Sequence, residues 1–436
     1  MVAVLSVVLI FKFEGAPPKL IQAQVPDLLG KKARLALVLA DKKSGLREIK
    51  IYLVQKKHAV LLYHREFTVD PLWGSKVKEK SFQVEFEPLK QGFKDGEATL
   101  VVEARDASWR NRLHGNVFRA KKKVLLDLTS PRILVRSPLH YLLPGGSSLV
   151  LYQISEPVKK QGVLLNKLFF KGYPLKGHAG TYVALVALPV DQARVGRFIV
   201  MAQDKAGNVT EIPIPYFLRH KRYRHDRIRI TDNFLRQKMP EFRDRYADMP
   251  QTDLLKAFIW VNTVLRQKNN EKISSLTKES TRPGFDLKGA LLRLPHSATR
   301  ALFGDQRTYY YHGQKIGFAR HLGIDLASVA HAPVPAAAAG KVIYADYLGI
   351  YGNVIIIDHG YGLFSLYAHL AGFVVNVGDS VRRGQLIGYT DTTGLAGGDH
   401  LHFAVLVQGV FVEPQEWFDP QWVKNRILQR LKDIGP

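Results

Sequence analysis

The chain has 436 residues, no cysteine and a formal net charge of +25. The absence of cysteine excludes disulfides, thiolate metal sites and a cysteine nucleophile, so any metal has to be held by His, Asp or Glu. With 46% hydrophobic and 23% charged residues, the composition is that of packed globular protein, and the length predicts about two to four domains. A surplus of positive charge attracts polyanions. No helix-turn-helix, zinc-finger or RNA-binding-sheet pattern accompanies it, so nucleic acid is not the expected partner.

Met1 to Phe11 is a near-continuous apolar run. It has the length of a signal-peptide hydrophobic region and is shorter than the roughly 20 residues that span a bilayer. No Lys or Arg precedes it, and no small-x-small cleavage site follows it clearly. The expectation is that the start lies further upstream and that residues 1–13 are the remnant of a membrane anchor or signal. A buried first strand is the alternative.

Residues 14–128 read as short strands. Ala33–Leu39, Glu48–Val54, Ser81–Phe86 and Ala98–Ala104 alternate or run apolar, with Gly, Pro, Asp and Lys clusters between them, which is the pattern of a β-sandwich. The pattern recurs. Leu100-Val101-Val102-Glu103-Ala104-Arg105-Asp106 matches Phe198-Ile199-Val200-Met201-Ala202-Gln203-Asp204, each ending in Ala-x-Asp before a turn. Thr129-Ser130-Pro131-Arg132 looks like the boundary between the copies. Two tandem modules, 14–128 and 129–220, are expected, similar at the level of pattern to bacterial immunoglobulin-like modules and serving as spacers.

A basic junction, Arg219 to His225, leads into a helical connector over 221–308. Asp232-Asn233 can cap a helix carrying Phe234, Leu235 and Met239, and Leu254, Leu255, Phe258, Ile259, Val261 and Leu265 share one broad helical face. From Tyr309 a strand pattern with Gly-rich turns returns and predicts a compact antiparallel β-domain over 309–436.

Three pieces of this last domain carry chemistry: His321-Leu322-Gly323-Ile324-Asp325, Leu366-Tyr367-Ala368-His369-Leu370, and Gly397-Gly398-Asp399-His400-Leu401-His402-Phe403. Imidazole and carboxylate suit zinc, and a catalytic zinc site keeps one position open for water. His400 and His402, two apart in a strand, point to one face. One imidazole can then sit on a metal and the other beside it. A lone His-x-His is more often a structural pair, and a lone buried His is more often hydrogen-bonded core. The three pieces together in one small β-domain argue for a site. His312 and His331 read as surface or loop residues, Asp358-His359 as structural, Tyr309-Tyr310-Tyr311 as packing, and Trp417 as the anchor of the C-terminal tail.

The segment 310–420 resembles the lysostaphin-type (LytM-type) zinc metalloendopeptidases, in the pattern His-x3-Asp, then Tyr-x-His-Leu, then His-x-His. Gly340-Lys341-Val342, Val377-Gly378-Asp379-Ser380-Val381 and Gly384-Gln385-Leu386-Ile387-Gly388 extend the likeness. The resemblance implies that His321, Asp325 and His402 ligate zinc and that His369 and His400 are catalytic. It further implies cleavage of peptide cross-links in bacterial peptidoglycan, in a periplasmic or envelope location with anchoring in the inner membrane through the N-terminus. Envelope protein partners for the N-terminal β modules are a further expectation. Asp391 stands where the family usually has Gly, and Ala404 where many relatives carry Glu; neither is a ligand position. All five metal and catalytic positions are filled, which weighs against the alternative of a non-catalytic regulator that activates other wall hydrolases. The expected fold is therefore mainly β: two immunoglobulin-like sandwich modules, a helical connector and an antiparallel β-sheet metallopeptidase domain.

Overall fold

The computed structural model describes residues 12–432 except Pro138, Pro283 and Asp286. The apolar run Met1–Phe11 lies outside the described residues. Among them, no helix is long and apolar enough to cross a membrane. The protein is mainly β, and its contacts divide it into two compact units.

The first unit holds the described residues up to 132, with 157–160 and 202–210. Two sheets face each other in it, one of three strands and one of five. The central strands alternate as a sandwich requires. Along Ala33–Ala40 the odd positions Leu35, Leu37 and Leu39 are buried, and along Leu46–Gln55 so are Ile49, Ile51 and Leu53. Burial of each such side chain contributes about 1.5–3 kcal/mol. The repeated Ala-x-Asp has a physical cause. Asp106 accepts from the backbone N and Nδ2 of Asn116 at 2.7 and 2.8 Å. Asp204 accepts from the same two groups of Asn208 at 2.8 and 2.7 Å. In each copy a buried carboxylate closes the turn after the strand.

The second unit holds the described residues of 133–156 and 161–201 and those from 211 onward. Its first part forms two four-stranded sheets. Its last part is built on a sheet in which Ile324–Ala327, Leu401–Val407, Leu363–Phe373, Asn353–Gly360 and Gly340–Tyr347 lie side by side, all antiparallel. The strands Leu401–Val407 and Asn353–Gly360 are buried almost throughout, because both faces are covered.

One cover is helical. Thr231 caps the helix Asp232–Arg243 by accepting from Phe234 N, one residue earlier than the Asp232 cap read from the sequence. Asp253 caps Leu254–Trp260, which passes through a π-helical turn, Val261–Leu265, into Arg266–Leu276. Leu235, Met239, Phe242, Phe258, Val261 and Leu265 share one core with Val354, Ile356, Phe364, Leu366 and Ala404 of the sheet and with Ile350 of the short turn before Asn353. A short strand, His225–Arg229, pairs in parallel with Gln306–Tyr311, where the sequence suggested only a basic junction. At the other side, Gln408 donates to Lys171 O and Leu185 O and accepts from Lys171 N. Trp417 is fully buried and donates to Ser147 Oγ at 3.2 Å.

Candidate metal centre

Three neighbouring strands assemble the site. Asp325 and His402 are direct cross-strand partners, and His402 in turn faces Ala368 on its other side. His321 opens the loop after Gln314–Arg320; its backbone N donates to Asp305 O at 2.9 Å. His321 Nε2 lies 2.9 Å from Asp325 Oδ1 and 3.0 Å from His402 Nδ1, and His402 Nδ1 lies 2.8 Å from the same oxygen. All three residues are buried. Gly323 is required by close approach. A Cβ there would stand 2.6 Å from both His402 Nε2 and Phe403 O.

His369 arrives by a less obvious route. Strict alternation would put Ala368, not His369, on the face of His402. An extra residue in Leu363–Phe373 relative to Asn353–Gly360 breaks the register, and His369 has φ 61°, a left-handed conformation uncommon outside glycine. The imidazole thereby lies beside His400 and His402, with ring centroids 4.9 and 5.9 Å away. His400 precedes its strand, bridged to Asp391, and places Nε2 3.5 Å from Asp325 Oδ1.

Main-chain carbonyls fix three of the rings. His321 Nδ1 donates to Leu302 O at 2.8 Å, His369 Nδ1 to Thr393 O at 2.7 Å, and His400 Nδ1 to Gly398 O at 2.7 Å. In each case Nε2 is left as the nitrogen that binds or releases a proton or a cation. The loop carrying Thr393 is tied to the helical cover, since Gly394 N donates to Glu241 Oε1 at 2.6 Å and Lys238 donates to Thr392 O.

The charges follow from this packing. Burial alone would raise the Asp325 carboxyl, but His321, His400 and His402 outweigh it and hold it well below the usual carboxylate range. Burial, reinforced by His400 and His402, pushes His369 well down. Burial also lowers His402 to about 4. His400 is raised, because its hydrogen bond to Asp325 overcomes the cost of burial. The donor set suits a cation. With Nδ1 of His321 committed to Leu302 O, its Nε2 lone pair faces a carboxylate oxygen and a second imidazole nitrogen, an arrangement of acceptors that a positive charge between them would relieve.

The site opens into a cleft of about 460 Å³. His321, Asp325, His369, His400 and His402 all line it, beside Tyr351, Leu395, Arg229, Arg266 and Arg307. The five residues singled out from the sequence are thus together at one cleft. His312 and His331 are exposed and do not line it. Asp358 accepts from Ser280 Oγ, Thr281 N and Gly360 N, a structural set of partners.

Arg307 carries no sequence signal but holds the site. Its Nη2 donates to Asp325 Oδ2 at 3.0 Å, leaving Oδ1 for the histidines. It lies in the strand Gln306–Tyr311, three polar residues followed by three tyrosines, a pattern that marks no position as special.

Residues 319–414 match the sequence profile described as Peptidase family M23. The chain carries an M23 peptidase domain. This domain is 40% identical over 94 residues to the DD-carboxypeptidase/endopeptidase Mpg of Neisseria meningitidis, covering 22% of each chain. It is 37% identical over 111 residues to the murein hydrolase activator EnvC of Escherichia coli, covering 25% of this chain and 26% of the relative. A third relative, the peptidoglycan DD-endopeptidase ShyC of Vibrio cholerae, is 33% identical over 140 residues, 32% of each chain. In all three, the match spans about a third of the relative or less. Arg307 precedes the matched M23 segment, as do the helices that cover the cleft.

Proposed function

We propose that this protein is a zinc-dependent endopeptidase that hydrolyses peptide cross-links of bacterial peptidoglycan in the cell envelope. The observation that carries the reading is the convergence of His321 Nε2, Asp325 Oδ1 and His402 Nδ1 in an open cleft, with two further imidazoles beside them. These three atoms would hold the zinc ion. When bound, zinc supplies Lewis acidity to a carbonyl and to water. His369 and His400 each present Nε2 to the cleft with Nδ1 anchored, so either can take a proton there and return it to the leaving amine. As an imidazolium, the other can hydrogen-bond the developing oxyanion. Tyr351, buried with its ring centroid 5.5 Å from that of His402, packs against the ligand at the cleft wall. The relatives named as DD-endopeptidases support the substrate class. The same proposal places Met1–Phe11 at the inner membrane and assigns the N-terminal β modules to reach and to envelope partners.

A second reading, an activator of other wall hydrolases, is favoured by the likeness to the murein hydrolase activator. The five filled positions weigh against it. Digestion of cross-linked peptidoglycan by the full chain, with and without chelator and read by mass spectrometry, separates the two. Chelator-sensitive loss of dimeric muropeptides is the expected result. Zinc-loaded, folded protein that releases nothing would favour the activator.

A further inference from the structure

The cleft wall contributed by the helical cover carries a charge that the hydrolytic chemistry leaves unused. Arg266 follows the π-helical turn Val261–Leu265 directly. Such turns shift the following side chains around the helix axis and are frequent at functional sites. Asn262, buried in that turn, takes two hydrogen bonds from the guanidinium: Nε to the Asn262 carbonyl at 3.3 Å and Nη2 to its Oδ1 at 2.9 Å. A guanidinium has five N–H groups, so three remain beyond those held by Asn262.

Of the three guanidinium groups lining the cleft, only Arg307 has an acidic partner. Among the described residues, no carboxylate lies within ion-pair distance of Arg266 or of Arg229. Arg266 is half-buried, so an anion that reaches it is screened less by water than at an exposed site. A planar fork with its position fixed in advance matches a carboxylate in two-point fashion.

We propose that Arg266, assisted by Arg229, binds a free carboxylate of the peptide substrate and so makes the protein selective for stem peptides with that group unamidated. This rests on the endopeptidase reading above and adds the specificity of the same cleft. The residues involved precede the matched M23 segment, so the preference belongs to this chain's own cover and not to the peptidase core. Arg266 is a specificity residue; it moves no proton.

The test uses zinc-loaded full-length protein and matched cross-linked muropeptide dimers whose diaminopimelate carboxylate is either free or amidated. Wild type is expected to favour the free acid in kcat/KM by about 10–100-fold, the size of a charge-assisted hydrogen-bond pair. Arg266→Gln should collapse that ratio toward one, mainly through KM, and Arg266→Lys should restore part of it. If Arg266→Gln fails to fold by circular dichroism, the exposed Arg229→Gln and the wild-type ratio decide. Equal cleavage of both dimers by wild type overturns this proposal and leaves the endopeptidase standing. So does a ratio preserved in the Gln variants. Cleavage of neither dimer by zinc-loaded wild type overturns both.

Discussion

Arg307→Gln tests the site without touching a proposed ligand. In the structure Arg307 holds Asp325 Oδ2 at 3.0 Å, and both side chains are largely shielded from water. A hydrogen bond between charged groups in that setting contributes about 1.5–3 kcal/mol. Without it, Asp325 is free to rotate and to offer either oxygen, and Oδ1 is no longer held against His321 and His402. At about 1.4 kcal/mol per decade, the zinc dissociation constant should rise by about 10–100-fold. Losses of this size are typical when a group that orients a metal ligand is removed. An opposing effect exists, since Arg307 is itself positive and its removal relieves repulsion of a cation. Arg307→Lys separates the two by keeping the charge and losing the fork, and should weaken zinc at least as much as Gln does. The assay is competition with a chromophoric chelator at fixed pH, with circular dichroism to confirm the fold. Zinc affinity of Arg307→Gln within twofold of wild type, or tighter, would refute the orienting role.

Asp325→Ala and His402→Ala should lose zinc and hydrolysis together, whereas His369→Ala and His400→Ala should keep stoichiometric zinc and lose about 10²–10⁴-fold in turnover; metal analysis beside the digest distinguishes them, and retained zinc in Asp325→Ala would refute the ligand assignment. Gly323→Ala should lower both zinc content and thermal stability, because its Cβ would intrude on His402 Nε2 and Phe403 O at 2.6 Å; a melting temperature and zinc content equal to wild type would refute the close packing. His140 is fully buried and accepts from Arg430 Nη1 at 3.0 Å, and burial followed by the charge of Arg430 lowers it from 6.5 to about 3. Between these values the unfolded chain binds one proton more than the folded one. This contribution is therefore intact above pH 6.5 and is lost as pH falls towards 3, at about 1.4 kcal/mol per unit. Unfolding free energies from urea titrations at pH 7.5 and 5 should show a drop in wild type that is smaller by about 2 kcal/mol in His140→Asn; equal drops would refute it.

Legibility in the sequence followed the range of the interaction that fixes each element. Alternation along Ala33–Ala40 and Leu46–Gln55 is local, and those strands stand where the pattern put them. The helix over Asp232–Arg243 was visible in its apolar spacing, but its cap fell to Thr231, whose hydroxyl reaches Phe234 N. His225–Arg229 gave no signal as a strand. Its ladder partner is about eighty residues away, and its side chains are mostly exposed. The site residues were legible by type and spacing, yet their geometry was not. His369 reaches the cleft only through a register break and a positive φ, and alternation alone would have turned it away. Arg307 and Arg266 were unreadable for another reason. Arginine is common on surfaces, and only tertiary contact distinguishes one that holds Asp325 or lines a cleft from one that faces solvent.

The partners that anchor His321, His369 and His400 are the carbonyls of Leu302, Thr393 and Gly398. Every amino acid carries that oxygen. Positions 302 and 398 can therefore drift in sequence without disturbing the rings, provided the backbone path holds, whereas Thr393 also ties its loop through Oγ1, which accepts from Asn353 N and donates to Leu370 O. The proton placement in this cleft is inherited through chain geometry, and a comparison that counts identical letters would pass over it. Substitutions that bend these loops, not those that change their side chains, are the ones this centre is built to feel.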